Sequence, residues 1–184
     1  DGYKHLMTVS VKSRGKFNQK ISEVEILHGK NLQLIKKKIY YAYNKAPYFK
    51  NYYQDICNII DTKYQFLSEL NIELIKFFNN ILNIKIDYDF SSKYSLNLKK
   101  ELLIFELCKI NRCNKYLTTI GSMNYLKSFT KIPNSNIEII YFDYKDTKYS
   151  QIAENYIPKL SIIDLLFNEG KNSINIVRDG FKFI

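Results

Sequence analysis

Ser161 and Asp164 stand three residues apart, and Asp143, Asp146 and Tyr149 fall within seven positions of one another. The first pair has the groups of a nucleophile and a supporting carboxylate, and the second offers carboxylates for general-base work beside a phenol. No histidine is near Ser161 in sequence, and an N-terminal capping box accounts for a Ser followed three residues later by an acid ahead of "LLF". Lys12 and Arg14, with Lys16, follow a β-branched run and suit a phosphate or carboxylate, although a solvated turn has the same composition. Ser91 and Ser92, then Gly121 and Ser122, each follow an apolar run where a strand would end. In a parallel sheet, ligands sit beyond the carboxyl ends of strands, where helix N-termini offer N–H groups to anions. Small polar residues are also ordinary turn and cap residues there. The expected substrate contacts are therefore Lys12, Arg14, Ser91, Ser92, Gly121, Ser122 and Tyr149, and the spacings single out no catalytic residue. His5 has the chemistry of an acid or base, but a histidine at a strand edge is more often structural.

Neither a metal nor a cofactor is expected. Cys57, Cys108 and Cys113 make an odd set without a second spaced pair, and the two histidines, His5 and His28, are far from them. Unpaired cysteines in apolar segments fit a reducing cytoplasm. No apolar run reaches the roughly 20 residues that span a bilayer. The net charge of +10, from 28 Lys and Arg against 18 Asp and Glu, favours anionic partners such as nucleotides, nucleic acid or acidic headgroups. Lys, Asn and Ile are abundant along the whole chain while Gly, Pro and Trp are scarce. A bias that even reflects genome composition and weakens the argument from charge.

With 184 residues, 46% of them hydrophobic, the chain is long enough for a sizeable core and reads as one domain. "LMTVSV" (6–11) and "ISEVEI" (21–26) read as a strand pair. Asn31 to Tyr53 packs five lysines and seven Tyr or Phe into 23 positions, the ingredients of a single-strand nucleic-acid site. Its Ile35, Ile39 and Tyr43 nevertheless recur at helical spacing, so the stretch reads as a helix with Lys36 to Lys38 on its wet side, ended by Pro47. Further helices are predicted over 55–60, 66–82, 97–110, 123–129 and 158–170. "IKIDYDF" (84–90) alternates without exception and predicts a central strand whose Ile84, Ile86, Tyr88 and Phe90 share a covered face. With 116–120 and 137–144, the order from 84 onward is strand, helix, strand, helix, strand. That order implies an α/β fold, a mostly parallel, Rossmann-like sheet with helices on its faces.

Taken in order, "LMTVSVK", "IYYAYNKAPYF", "IDYDFSS", "YLTTIGSMNYL" and "YSQIAENYIPKLSIIDLLFNEG" resemble the WbqC-like family of bacterial proteins over roughly residues 3 to 170. "KAPYF" and "IPKLSIIDLLFNEG" are the most specific pieces. The resemblance implies a part in O-antigen or other surface-polysaccharide biosynthesis, in the cytoplasm, with a glycyl, amino-acid or related group transferred to an amino sugar, itself free or nucleotide-linked. Family members usually open with a strand and a Gln-Pro loop ahead of this chain's first residues, so an N-terminal truncation is expected. Asn31 and Ile35 stand where the family tends to have Trp and His, and Thr119 where it often has Gly. The rival readings are a nucleic-acid-binding module and a non-catalytic partner subunit.

Overall fold

The amphipathic stripe of the Lys-rich stretch folds as expected. In a computed structural model that describes residues 3–124, 126 and 129–184, Lys30–Tyr43 is a helix (α1) with Leu32, Ile35 and Ile39 buried. Lys37 and Lys38 face solvent, and Lys36 pairs with Asp61 at 2.6 Å. Pro47 marks the break, and a second helix starts directly behind it at Phe49–Asp61 (α2), six residues earlier than its apolar spacing suggests. Leu67–Ile81 (α3) follows, with the Glu69 carboxylate accepting the N–H of Phe66 at 2.9 Å. These helices belong to a compact unit formed by Asp1–Ile86 and Lys148–Ile176, which also holds Ile162–Glu169 (α5). Ile39, Ile56 and Phe167, each at most 1% exposed, are the centre of its core.

The expected strand pair of this unit shrinks to isolated bridges. Val11 pairs with Ile26 and Glu25 with Phe66, both antiparallel, while Ile21–Glu23 is a 3-10 turn. Four of the apolar residues around these bridges, Leu6, Met7, Ile21 and Leu27, are exposed, so no second layer rewards a longer ladder.

The second unit, Asp87–Thr147 and Val177–Ile184, contains the helix Lys100–Ile110 (α4) and a three-stranded sheet. Lys115–Thr119 (β1) lies parallel to Glu138–Tyr144 (β2), with Leu117 opposite Ile140. Phe181–Phe183 (β3) runs antiparallel to β2, with Phe183 opposite Phe142. The chain is α/β, but its sheet is small and mixed, with one parallel pair and one antiparallel pair, instead of mostly parallel. Phe105 and Cys108 of α4 pack with Ile137, Ile139 and Tyr141 in this unit's core. Burial pushes the Cys108 thiol up to about 11. The helix Ser173–Gly180 (α6) leads into β3. The helix expected over 123–129 includes residues 125, 127 and 128, which lie outside the described residues.

The predicted central strand at 84–90 is absent. The segment has no regular structure, and Ile86, Tyr88 and Phe90 are 53%, 41% and 41% exposed. Its polar groups are satisfied locally: Ile84 N–H bonds Asn79 O at 2.8 Å, and Asp89 accepts from Phe90 N–H, Lys93 and Tyr94. Perfect alternation needs a neighbouring strand to become a sheet, and here the segment crosses from one compact unit to the other at Ile86.

α5 begins as its sequence predicts, with the Ser161 hydroxyl accepting Ile163 N–H at 3.4 Å. That bond is long, so Ser161→Ala should cost about 0.5 kcal/mol, the low end for an N-cap. Urea unfolding of the two proteins measures the difference, and a loss above about 2 kcal/mol would mean that Ser161 does more than cap.

Candidate functional site

Asp164 does not reach back to complete a capping box. It is 4% exposed, on the inner face of α5, and its Oδ1 accepts from the Tyr149 hydroxyl at 2.9 Å, Gln151 Nε2 at 3.2 Å and Asn168 Nδ2 at 3.3 Å. The Tyr43 hydroxyl is a further partner. The four donors come from three local contexts. Tyr43 is the last residue of α1, Asn168 is one turn along α5, and Tyr149 and Gln151 stand on the segment leading to it. Gln151 also brackets Ile157, donating to its carbonyl at 3.0 Å and accepting its N–H at 2.8 Å, which ties the segment into a closed loop.

Aromatic packing positions these groups. Phe167, fully buried, lies 5.2 Å from the Tyr43 ring and 5.3 Å from Phe49, and its carbonyl accepts Tyr48 N–H at 2.9 Å. Gly170 ends α5 at φ +54°, against the Tyr48 ring. "KAPYF" and "SIIDLLFNEG", remote in sequence, therefore pack against each other through Tyr48, Phe49, Phe167 and Gly170, while Tyr43, just ahead of "KAPYF", reaches the Asp164 carboxylate.

Burial raises the proton affinity of Asp164, and hydrogen bonds from Tyr149, Tyr43, Gln151 and Asn168 offset part of that effect. Burial, followed by the nearby carboxylate, also pushes the Tyr43 phenol up. For Tyr149 burial is again the largest cause, with Gln151 opposing and Asp164 reinforcing it. Both phenols are half-buried, so they connect an enclosed carboxyl to the surface. Such a set can accept a proton from a bound group through a phenol and hold it out of water.

Of the expected substrate contacts, Tyr149 alone belongs to this network, whose centre is Asp164, the carboxylate paired with Ser161 in the sequence. Lys12 and Lys16 pair with Glu25 at 2.5 and 2.7 Å, holding its carboxyl down at about 2, and Arg14 lies in an exposed turn. Ser91 and Ser92 form an exposed 3-10 turn that follows no strand. Gly121 is exposed in the 3-10 turn after β1, with only Thr119 Oγ1, at 3.9 Å, near the place of a Cβ. Ser122 is buried, its hydroxyl bonded to Thr118 Oγ1 at 2.9 Å and Thr119 O at 2.7 Å. Asp143 accepts the N–H of Tyr144 at 2.9 Å, and His5 is exposed. Sequence reasoning missed Tyr43, Gln151 and Asn168 as partners of Asp164. The i, i+4 spacing of Asp164 and Asn168 on one helix was the available signal.

Helices and a small mixed sheet, with a buried carboxylate enclosed by tyrosines, define an α/β protein with a candidate proton-handling site. Residues 1–176 match the WbqC-like protein family, and the chain belongs to that family. It is 26% identical over 176 residues to an uncharacterized protein of Mycobacterium tuberculosis, a match that covers 94% of this chain and 75% of the relative. No solved structure matches it. Among the described residues, no helix is long and apolar enough to cross a membrane.

Proposed function

We propose that this WbqC-like protein is a cytoplasmic group transferase of bacterial surface-polysaccharide biosynthesis, modifying the amino group of a free or nucleotide-linked amino sugar. The observation that carries the reading is Asp164, a buried carboxyl with raised proton affinity inside one of the two most family-specific segments. In acyl transfer to an amine, the nitrogen attacks the donor carbonyl, a C–N bond forms, and the bond to the leaving group breaks. The nitrogen must then shed a proton. Tyr149 oxygen takes that proton while its own passes along the 2.9 Å bond to Asp164 Oδ1. A carboxyl of ordinary acidity would hold it less well.

Deleting the gene in its bacterium should remove an acyl substituent from the surface polysaccharide. The wild-type gene should restore it, and Tyr149→Phe should restore transfer at a rate at least about tenfold lower. An unchanged polysaccharide in the deletion strain, or full rescue by Tyr149→Phe, would overturn the assignment. The nucleic-acid reading retains one observation: Lys37, Lys38 and the 76%-exposed Tyr41 share the open side of α1. A steep loss of polynucleotide binding with salt would support it.

A further inference from the structure

A groove of about 420 Å³ opens along α4 in the second unit. That volume is in the range of small-molecule sites, about 300–1,000 Å³. Its floor is apolar and aromatic, made by Leu98, Leu102, Phe105, Phe129 and Pro133. Leu102 is 58% exposed there, because α4 is apolar on the side facing its core and on the open side as well. At 100° per residue, Glu101 and Glu106 fall on opposite flanks of the stripe formed by Leu102 and Phe105. Lys109 continues the stripe one turn beyond Phe105, and Asn134 lines the facing wall.

The charge in this groove departs from that of the chain. Two carboxylates against one ammonium leave a net negative charge, in a protein of net charge +10. Among the described residues, no cation forms an ion pair with Glu101 or Glu106. Both are partly shielded from water, which strengthens their attraction for a cation seated between them. The Phe105 and Phe129 rings, 6.3 Å apart and edge to face, offer an aromatic surface that suits an apolar body and a neighbouring positive charge.

We propose that this groove binds a small organic ammonium, its charged nitrogen held by Glu101 and Glu106 and its apolar or aromatic body lying on Leu102, Phe105 and Phe129. The site is independent of the transferase reading. An anion of the same shape meets two carboxylates, and a neutral molecule of the same shape gains only the apolar contact.

The test uses the full chain and three probes of matched size, 2-phenylethylamine (protonated at pH 7), 2-phenylethanol and 3-phenylpropionate, measured by calorimetry or ligand-observed NMR. The amine should bind at least tenfold more tightly than the alcohol, with the propionate weakest. The double variant Glu101→Gln/Glu106→Gln should lose that tenfold advantage while its melting temperature stays within error of the wild type. Three outcomes would overturn the proposal: no amine binding at millimolar concentration, equal binding of all three probes, or undiminished amine binding by the folded double variant.

Discussion

Asp164→Leu should lower the unfolding free energy by about 3 kcal/mol, because it removes the shared acceptor of several partly or fully buried donors at once. The Tyr149 hydroxyl, Gln151 Nε2 and Asn168 Nδ2 all converge on Oδ1, and each would be left to find water in a site only 4% exposed. Asp164→Asn keeps an acceptor oxygen and should cost much less, so the pair separates packing from charge. The charge has its own signature in pH. Burial raises the carboxyl's pKa in the folded protein, so between its ordinary and its raised value the native state holds more proton than the unfolded chain. Stability contributed by this group is therefore complete at acid pH and is lost as pH rises through the raised value. Asp164→Asn should flatten that part of the stability–pH curve, measured by urea unfolding at a series of pH values. Parallel curves for variant and wild type would show that the carboxyl titrates normally and could not act as the proposed proton acceptor.

Gly170→Ala should be comparably damaging, at roughly 3 kcal/mol, for a reason that involves no charge. A Cβ there would lie 2.7 Å from Tyr48 Cδ1, and the residue holds φ +54°, a conformation that side chains resist. The melting temperature should fall by about 6–12 °C for a chain of this size. Tyr48→Ala in the same background should return part of the loss, since it removes the steric component and leaves the backbone component. Gly121→Ala is the control: its Cβ would meet nothing closer than 3.9 Å, and its stability should stay within about 0.5 kcal/mol of wild type. If Gly170→Ala is equally mild, Tyr48 and α5 are not packed as described.

Local chemistry explains which elements were legible. The α1 stripe of Leu32, Ile35 and Ile39, the α3 stripe around Leu70, and the Ser161 cap with its Gly170 stop depend on contacts within one or two helical turns, so the order of residue types is enough to specify them. β1 and β2 were legible as short β-prone runs, and their parallel pairing agrees with the alternating order of strands and helices read in the sequence. The start of α2 at Phe49 was not, because its first turn, "FKNY", has no stripe of its own until Phe49 and Tyr53 stack at 4.5 Å. β3 was also missed, since three residues carry no periodic signal without the edge of β2 beside them.

Residue order is enough to specify the family, α1, α3, α4 and α5, two strands of the second unit and the hydroxyl that caps α5. Three-dimensional packing makes 84–90 a connector, turns Asp164 inward instead of back to its own helix start, and surrounds it with Tyr43, Tyr149, Gln151 and Asn168. Alternation and capping patterns report what a segment is able to do with its nearest neighbours. A strand's partner and a carboxylate's more distant donors come from residues far along the chain, and the packing of Phe167 against α1 and α2 helps bring Tyr43 to Asp164.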